Sequence, residues 1–284
     1  MTDRVEIFEV GPRDGLQNEA ISIPTADKIA LVDLLSTAGF SRIEVASFVS
    51  PKWVPQMADS AQVLAGITRK PGISYAALTP NIQGFERAMG AKADEIAIFG
   101  SASEGFSQAN INCSISESLK RFEPVAKAAL GAKVKMRGYV SCVTDCPYDG
   151  PTPPKQVADV ARALADMGCY EISLGDTIGL ANRQTTSAML DAVLAYLPAT
   201  NLAGHFHDTK QRALENIDAC LALGLRVFDS AVGGLGGCPY APGAAGNVAS
   251  EVVNKHLTER GYETRLSQDI LEQAAEMART LRGK

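Results

Sequence analysis

Short runs rich in β-branched and apolar residues recur eight times along this 284-residue chain, and each is followed by a longer stretch with helical spacing. The runs are Val5 to Val10, Arg42 to Ala46, Ile73 to Leu78, Glu95 to Phe99, Val134 to Ser141, Tyr170 to Leu174, Leu202 to His207 and Val227 to Val232. Strands that alternate with helices pair in parallel, with the helices packed outside, and eight such units suggest closure into a (β/α)8 barrel. No low-complexity segment or polar linker divides the chain, and one barrel of about 250 residues is an ordinary size. The expectation is an α/β chain forming a single domain over residues 1–284. An open doubly wound sheet is the runner-up, because strand pattern alone does not show closure.

Helix punctuation supports this division. From Pro154 to Gly168, the apolar positions Val157, Val160, Leu164 and Met167 share one face, with proline suited to the start and glycine to the residue just past the end. Ala213, Ile217, Cys220 and Leu221 form a similar stripe ahead of Gly224. Pro124 is expected to kink or divide the helix over Ser118 to Leu130, since proline removes an interior hydrogen bond. Beyond the eighth strand, Asn247 to Leu257 and Ser267 to Leu281 read as extra C-terminal helices, and His256 reads as incidental on an exposed face.

Composition excludes several classes of function. Lys and Arg number 27 against 32 Asp and Glu, a net charge of −5, and no basic run of five or more occurs, so nucleic acid is not an expected partner. No stretch approaches 18 consecutive apolar residues, so no membrane association is expected. The N-terminus alternates apolar and acidic residues, unlike a signal peptide, which points to the cytoplasm and to reduced thiols for the six cysteines. Cys142 and Cys146 lack the further partners of a zinc knuckle and read as structural.

Three strand ends carry polar clusters, and a parallel barrel brings all its strand C-termini to one face. The first is Gly11-Pro-Arg-Asp-Gly-Leu-Gln-Asn-Glu19, an Arg13-Asp14 pair between glycines, which alone is equally a surface ion pair on a turn. The second is Gly204-His-Phe-His-Asp208, which places two of the chain's three histidines at i and i+2 on one side of a strand. Two imidazoles on one face form half a metal site, or else a hydrogen-bonded core pair. The third is the glycine-rich loop 233–247, where Pro239 breaks the dinucleotide fingerprint and Cys238 is the reactive side chain, unless it is a buried small hydrophobe.

These motifs, together with Glu44 to Met57, Asn110 to Ser114, Ser141 to Tyr148 and Gly168 to Gly179, resemble the 3-hydroxy-3-methylglutaryl-CoA (HMG-CoA) lyases of the DRE-TIM metallolyases, in order and over most of the chain. The resemblance implies a TIM barrel in which Asp14, His205, His207 and Asn247 bind a divalent cation. Mixed oxygen and imidazole ligands suit Mg²⁺ or Mn²⁺. It further implies that Arg13, Cys238, His205 and Asp14 are catalytic, that Arg13 and Gln17 bind substrate, and that Glu44 and Asp176 hold Arg13 and the ligands in place. The implied reaction cleaves a 3-hydroxyacyl-CoA between C2 and C3, releasing acetyl-CoA and acetoacetate as in leucine degradation and ketone-body metabolism. An acyl-CoA is the implied partner, and a homodimer the implied assembly. Lys210-Gln211-Arg212 and Ala20 depart from the family pattern, which bears on the acyl and CoA contacts.

A Claisen-type synthase shares the Arg-Asp and His-x-His patterns but usually carries charged residues where this loop has Gly-Gly-Cys-Pro. Barrel hydrolases tend to place His-x-His at the first strand rather than the seventh. A silent binding protein has no need of Cys238, Arg13 and a full ligand set together.

Overall fold

The structure, a computed structural model, describes residues 3–236 and 246–283. Eight parallel strands form a closed barrel in sequence order: β1 (Glu6–Glu9), β2 (Arg42–Ser47), β3 (Ser74–Leu78), β4 (Glu95–Ser101), β5 (Lys135–Ser141), β6 (Glu171–Asp176), β7 (Leu202–Phe206) and β8 (Val227–Ser230). Closure is carried by β8, which pairs with β1 from Glu6↔Val227 to Glu9↔Ser230, so the open-sheet alternative is excluded. The fold is a (β/α)8 TIM barrel with helices between the strands.

The helix Pro154–Asp166 buries Val157, Val160 and Leu164 on one face, as its spacing predicts, and Gly168 follows with φ near +101°. The helix Ile115–Ala132 departs from expectation by running undivided through Pro124. Pro124 is exposed, and so is Lys120, whose carbonyl loses its partner, so water can satisfy that group. The helix expected from Asn247 starts instead at Ser250 and runs to Glu259, because Asn247 is held in a bridge with His207. His256 is not exposed and unattached: its Nε2 lies 2.8 Å from Asp218 Oδ1, tying two helices together. The five described cysteines are all free and buried, and no described helix is long and apolar enough to cross a membrane.

Barrel interiors are usually filled by branched aliphatic side chains. This one is filled largely by charge. Arg137 on β5 donates Nε to Glu171 Oε1 on β6 at 2.6 Å, and its two terminal nitrogens to Asp229 on β8 at 3.0 and 2.7 Å. Arg42 on β2 reaches Glu171 at 2.9 Å and Glu6 at 2.7 Å. The Phe8 ring lies between them, 4.5 Å from the Arg137 guanidinium and 4.8 Å from that of Arg42. Strand register dictates this arrangement, since Arg137 pairs with Glu171 in the ladder and residues two apart on each strand share the inner face.

Arg137 is 1% exposed and Asp229 2%, so removing one partner strands the other in a dry interior. Arg137→Met should therefore destabilise the fold by about 3–5 kcal/mol. Urea titration of the two proteins checks this, and an unchanged midpoint would refute a structural role for the charges.

Candidate active site

The segment after β1 is a wide turn, Gly11–Gly15, in which the Val10 carbonyl accepts the N–H groups of Arg13, Asp14 and Gly15. Glu9 fixes it from behind. Its Oε1 accepts Gly11 N at 2.8 Å and Val232 N at 3.0 Å, while Ser250 Oγ donates to Oε2 at 2.5 Å. Gly15 is required by a close approach: a Cβ there would lie 2.5 Å from Leu235 Cβ. The turn thus presses against the chain leaving β8 and points Arg13 and Asp14 over the barrel mouth.

Arg13 is held by Glu44 at the middle of β2, whose Oε2 accepts from Nε at 2.6 Å and lies 2.5 Å from Nη2. Tyr139 donates its hydroxyl to the same oxygen at 3.1 Å and stacks under Arg13, 5.4 Å from guanidinium to ring. Burial opposes the positive charge, but Glu44 and Asp14 outweigh it and keep Arg13 protonated at any working pH. Its Nη1 also donates to Asp14 Oδ1 at 2.6 Å.

His205 lies on β7 and His207 just beyond it, with ring centroids 5.5 Å apart. The segment carrying Asn247 is stitched into the same corner: Asp208 N donates to Gly246 O at 2.8 Å, Val248 N to Phe206 O at 3.1 Å, and Ala231 N to Val248 O at 3.1 Å. Asn247 Nδ2 consequently donates to Asp14 Oδ2 at 2.8 Å. His205 Nδ1 sits 3.2 Å from Asp229 Oδ2, which leaves Nε2 toward Asp14 at 4.0 Å.

This corner has the chemistry of a cation site. Ligand atoms of Asp14, His205 and His207 all lie within 4.8 Å of one another. Asn247 Oδ1 and His207 Nδ1 are buried without a hydrogen-bond partner, whereas buried polar atoms are nearly always paired. Burial disfavours the Asp14 carboxylate, but Arg13, His205, His207 and the Asn247 bond together hold it at about 2, so it is ionised. Burial, reinforced by His205, lowers His207 to about 4, leaving a neutral imidazole with a free lone pair at pH 7. These residues fit a divalent cation.

Of the residues singled out in the sequence, Asp14, His205, His207 and Asn247 converge, with Arg13 and Glu44 beside them. Gln17 continues the same turn, half-buried, with Oε1 unpartnered. Asp176, at the end of β6, accepts from Leu180 N at 3.2 Å, Ala181 N at 3.0 Å and Thr144 Oγ1 at 3.4 Å. It thereby shapes the loop after β6, and burial raises its pKa to about 6. Cys238 lies outside the described residues. Three contributors escaped the sequence reading: Asp229, Tyr139 and Glu9. Their one visible signal is a charged or hydroxylated residue inside an otherwise apolar strand.

The HMGL-like family model matches residues 4–278. A Pseudomonas aeruginosa protein named 3-hydroxy-3-isohexenylglutaryl-CoA/hydroxy-methylglutaryl-CoA lyase is 61% identical over 250 residues, 88% of this chain and 83% of that one. The crystal structure of HMG-CoA lyase from Brucella melitensis superposes with TM-score 0.98 at 58% identity, covering 99% of this chain and all of that one. An HMG-CoA lyase from Acinetobacter baumannii, solved with coenzyme A and 3-methylmalate, superposes at 0.94 with 38% identity, covering 99% of this chain and 92% of that one.

Glu9 generates a test of how this corner is built. Burial raises its pKa from 4.5 to about 7, against its three hydrogen bonds. Between those values the folded chain holds a proton that the unfolded chain releases, so Glu9 makes stability fall as pH rises from about 4.5 to 7. Glu9→Gln keeps an acceptor for both N–H groups and offers an amide to Ser250, without the titration. Relative to the variant, wild type should lose on the order of 2 kcal/mol between pH 5 and 8. Urea midpoints followed across that range give the answer, and parallel profiles would refute it.

Proposed function

The chain belongs to the HMGL-like family, and from that premise we propose that it is a divalent-metal-dependent carbon–carbon lyase, one catalytic barrel spanning residues 1–284, which cleaves HMG-CoA to acetyl-CoA and acetoacetate. The observation that carries this reading is the convergence of Asp14, His205, His207 and Asn247 beside a buried, permanently charged Arg13. With those products the reaction belongs to leucine degradation and ketone-body metabolism. Cytoplasmic location and a homodimeric state are part of the same proposal, and sedimentation of the purified protein tests the second.

The reaction must take a proton from the C3 hydroxyl while negative charge flows into the thioester as an enolate. We assign Asp14, His205, His207 and Asn247 as ligands for Mg²⁺ or Mn²⁺; when bound, such a cation supplies a Lewis acid that lowers the pKa of a substrate hydroxyl. Arg13 presents its guanidinium to the developing enolate oxygen, and Glu44 and Tyr139 hold it in place before substrate arrives. Asp229 anchors His205 at Nδ1 and raises its pKa despite burial, which suits both a ligand and a carrier for the hydroxyl proton. Gln17 joins Arg13 in holding the acyl group. To Cys238 we assign proton delivery to the enolate carbon.

The Acinetobacter baumannii neighbour supports an acyl-CoA as the partner, since it was solved with coenzyme A. A second reading, a lyase acting on a 3-hydroxyacyl-CoA with a longer C3 branch, is favoured by the double name of the Pseudomonas aeruginosa relative. Incubation of the purified protein with Mg²⁺ and a panel of 3-hydroxyacyl-CoA thioesters, with products identified by mass spectrometry, separates the two. Release of acetyl-CoA together with a 3-oxo acid longer than acetoacetate at the higher kcat/KM selects the second.

His207→Ala should weaken Mn²⁺ binding by more than about tenfold, and an unaltered calorimetric titration would overturn its assignment. Arg13→Lys keeps the charge but loses the planar fork, so kcat should fall by about 10²–10³ with the fold intact. Cys238→Ala should lower kcat by about 10²-fold or more with a smaller change in KM. Wild-type turnover in steady-state kinetics of either variant would remove that residue from the mechanism.

A further inference from the structure

We propose that Arg282, in the turn that ends the helix Gln268–Leu281, is a positioning residue for the catalytic centre: it clamps the chain leaving β8 onto the turn that carries Asp14. This inference rests on the metal-dependent lyase reading above. Arg282 Nε donates to Glu19 Oε1 at 2.8 Å, its Nη2 to the Gly234 carbonyl at 2.6 Å and its Nη1 to the Gly233 carbonyl at 3.4 Å. The same Glu19 oxygen accepts Gly236 N at 3.3 Å. One guanidinium therefore joins the segment ending at Glu19 to residues 233–236, and both pair members are largely buried, at 17% and 15% side-chain exposure.

Leu235 lies between these anchors and transmits them. Its side chain packs against Gly15, and its carbonyl accepts Asn247 Nδ2 at 3.2 Å. That amide nitrogen also donates to Asp14 Oδ2 at 2.8 Å, so displacement of residues 234–235 disturbs Asn247 and Asp14 together. The C-terminal helix can come this close because it meets Gly233 with alanines: a Cβ on Gly233, whose φ is +64°, would stand 3.0 Å from Ala278 Cβ. On the opposite side Glu251 Oε2 accepts Gly233 N at 3.0 Å. A guanidinium suits the task because its planar fork bonds a carboxylate and two carbonyls at once, which an ammonium point charge does less well.

The test is Mn²⁺ binding followed by electron paramagnetic resonance on metal-stripped full-length protein without substrate, alongside kcat and KM for HMG-CoA. Arg282→Gln and Glu19→Gln should each weaken Mn²⁺ about tenfold and lower kcat more than they raise KM, with circular dichroism showing an intact barrel. The double variant should be no worse than either single one, because both break the same clamp. Arg282→Lys, which keeps the Glu19 pair but not the carbonyl bonds, should fall between wild type and Arg282→Gln. An Arg282→Gln protein with the wild-type Mn²⁺ isotherm would overturn the clamp while leaving the lyase reading intact if the wild type turns over. Losses that add in the double variant would also overturn it. A wild type that neither binds Mn²⁺ nor cleaves the thioester would overturn both.

Discussion

The Arg137 guanidinium, forked between Glu171 and Asp229 inside the barrel, is the contact on which the rest of the molecule depends. A dry interior penalises any lone charge by several kcal/mol, so each ion must be answered by another. Arg137 draws Asp229 and Glu171 to fixed places, Glu171 draws Arg42, and Arg42 draws Glu6. The strands are consequently locked in register by charge geometry as well as by backbone hydrogen bonds. Apolar side chains still provide the packing outside the sheet, where the helices bury Leu31, Val157, Leu190 and Ile217.

The face that carries Asp14, His205 and His207 is the upper end of that ionic interior. Asp229 is shared between Arg137 below and His205 above, and Tyr139 lies between Arg137 and Arg13, with its ring 5.0 and 5.4 Å from the two guanidinium carbons. The groups over the mouth are thereby held in place by residues set below them. Each is oriented by a carboxylate set deeper in the structure: Arg13 by Glu44, His205 by Asp229, and the Asp14 turn by Glu9. Such outer partners matter to metal sites nearly as much as the ligands themselves.

The barrel was legible in the sequence because its signal is local: a β-branched run followed by a helical stripe, repeated around the ring, with glycine stops such as Gly168 and Gly224. The residues that converge at Asp14, His205 and His207 were legible for a similar reason, since Arg13-Asp14 and His205-x-His207 each declare themselves within a few residues. Family motifs added Asn247 and Glu44. Pro124 misled because its cost depends on whether water reaches the freed carbonyl. Arg137 and Asp229 stayed hidden because their meaning lies in each other, 92 residues apart, and nothing local marks which face of a strand looks inward. Closure of the sheet was likewise a long-range fact, resting on Glu6 beside Val227.

Asp14 and Asn247, hydrogen-bonded to one another, are separated by 233 positions in the chain. A ribosome therefore adds 233 residues after Asp14 to reach Asn247, and the pair forms only after all eight strands have been made. The segment after β1 and the segment after β8 meet at that corner, so the bond forms only where the ring of strands is complete. A chain that misplaces its final strand therefore parts Asp14 from Asn247, and the corner is lost together with the ring.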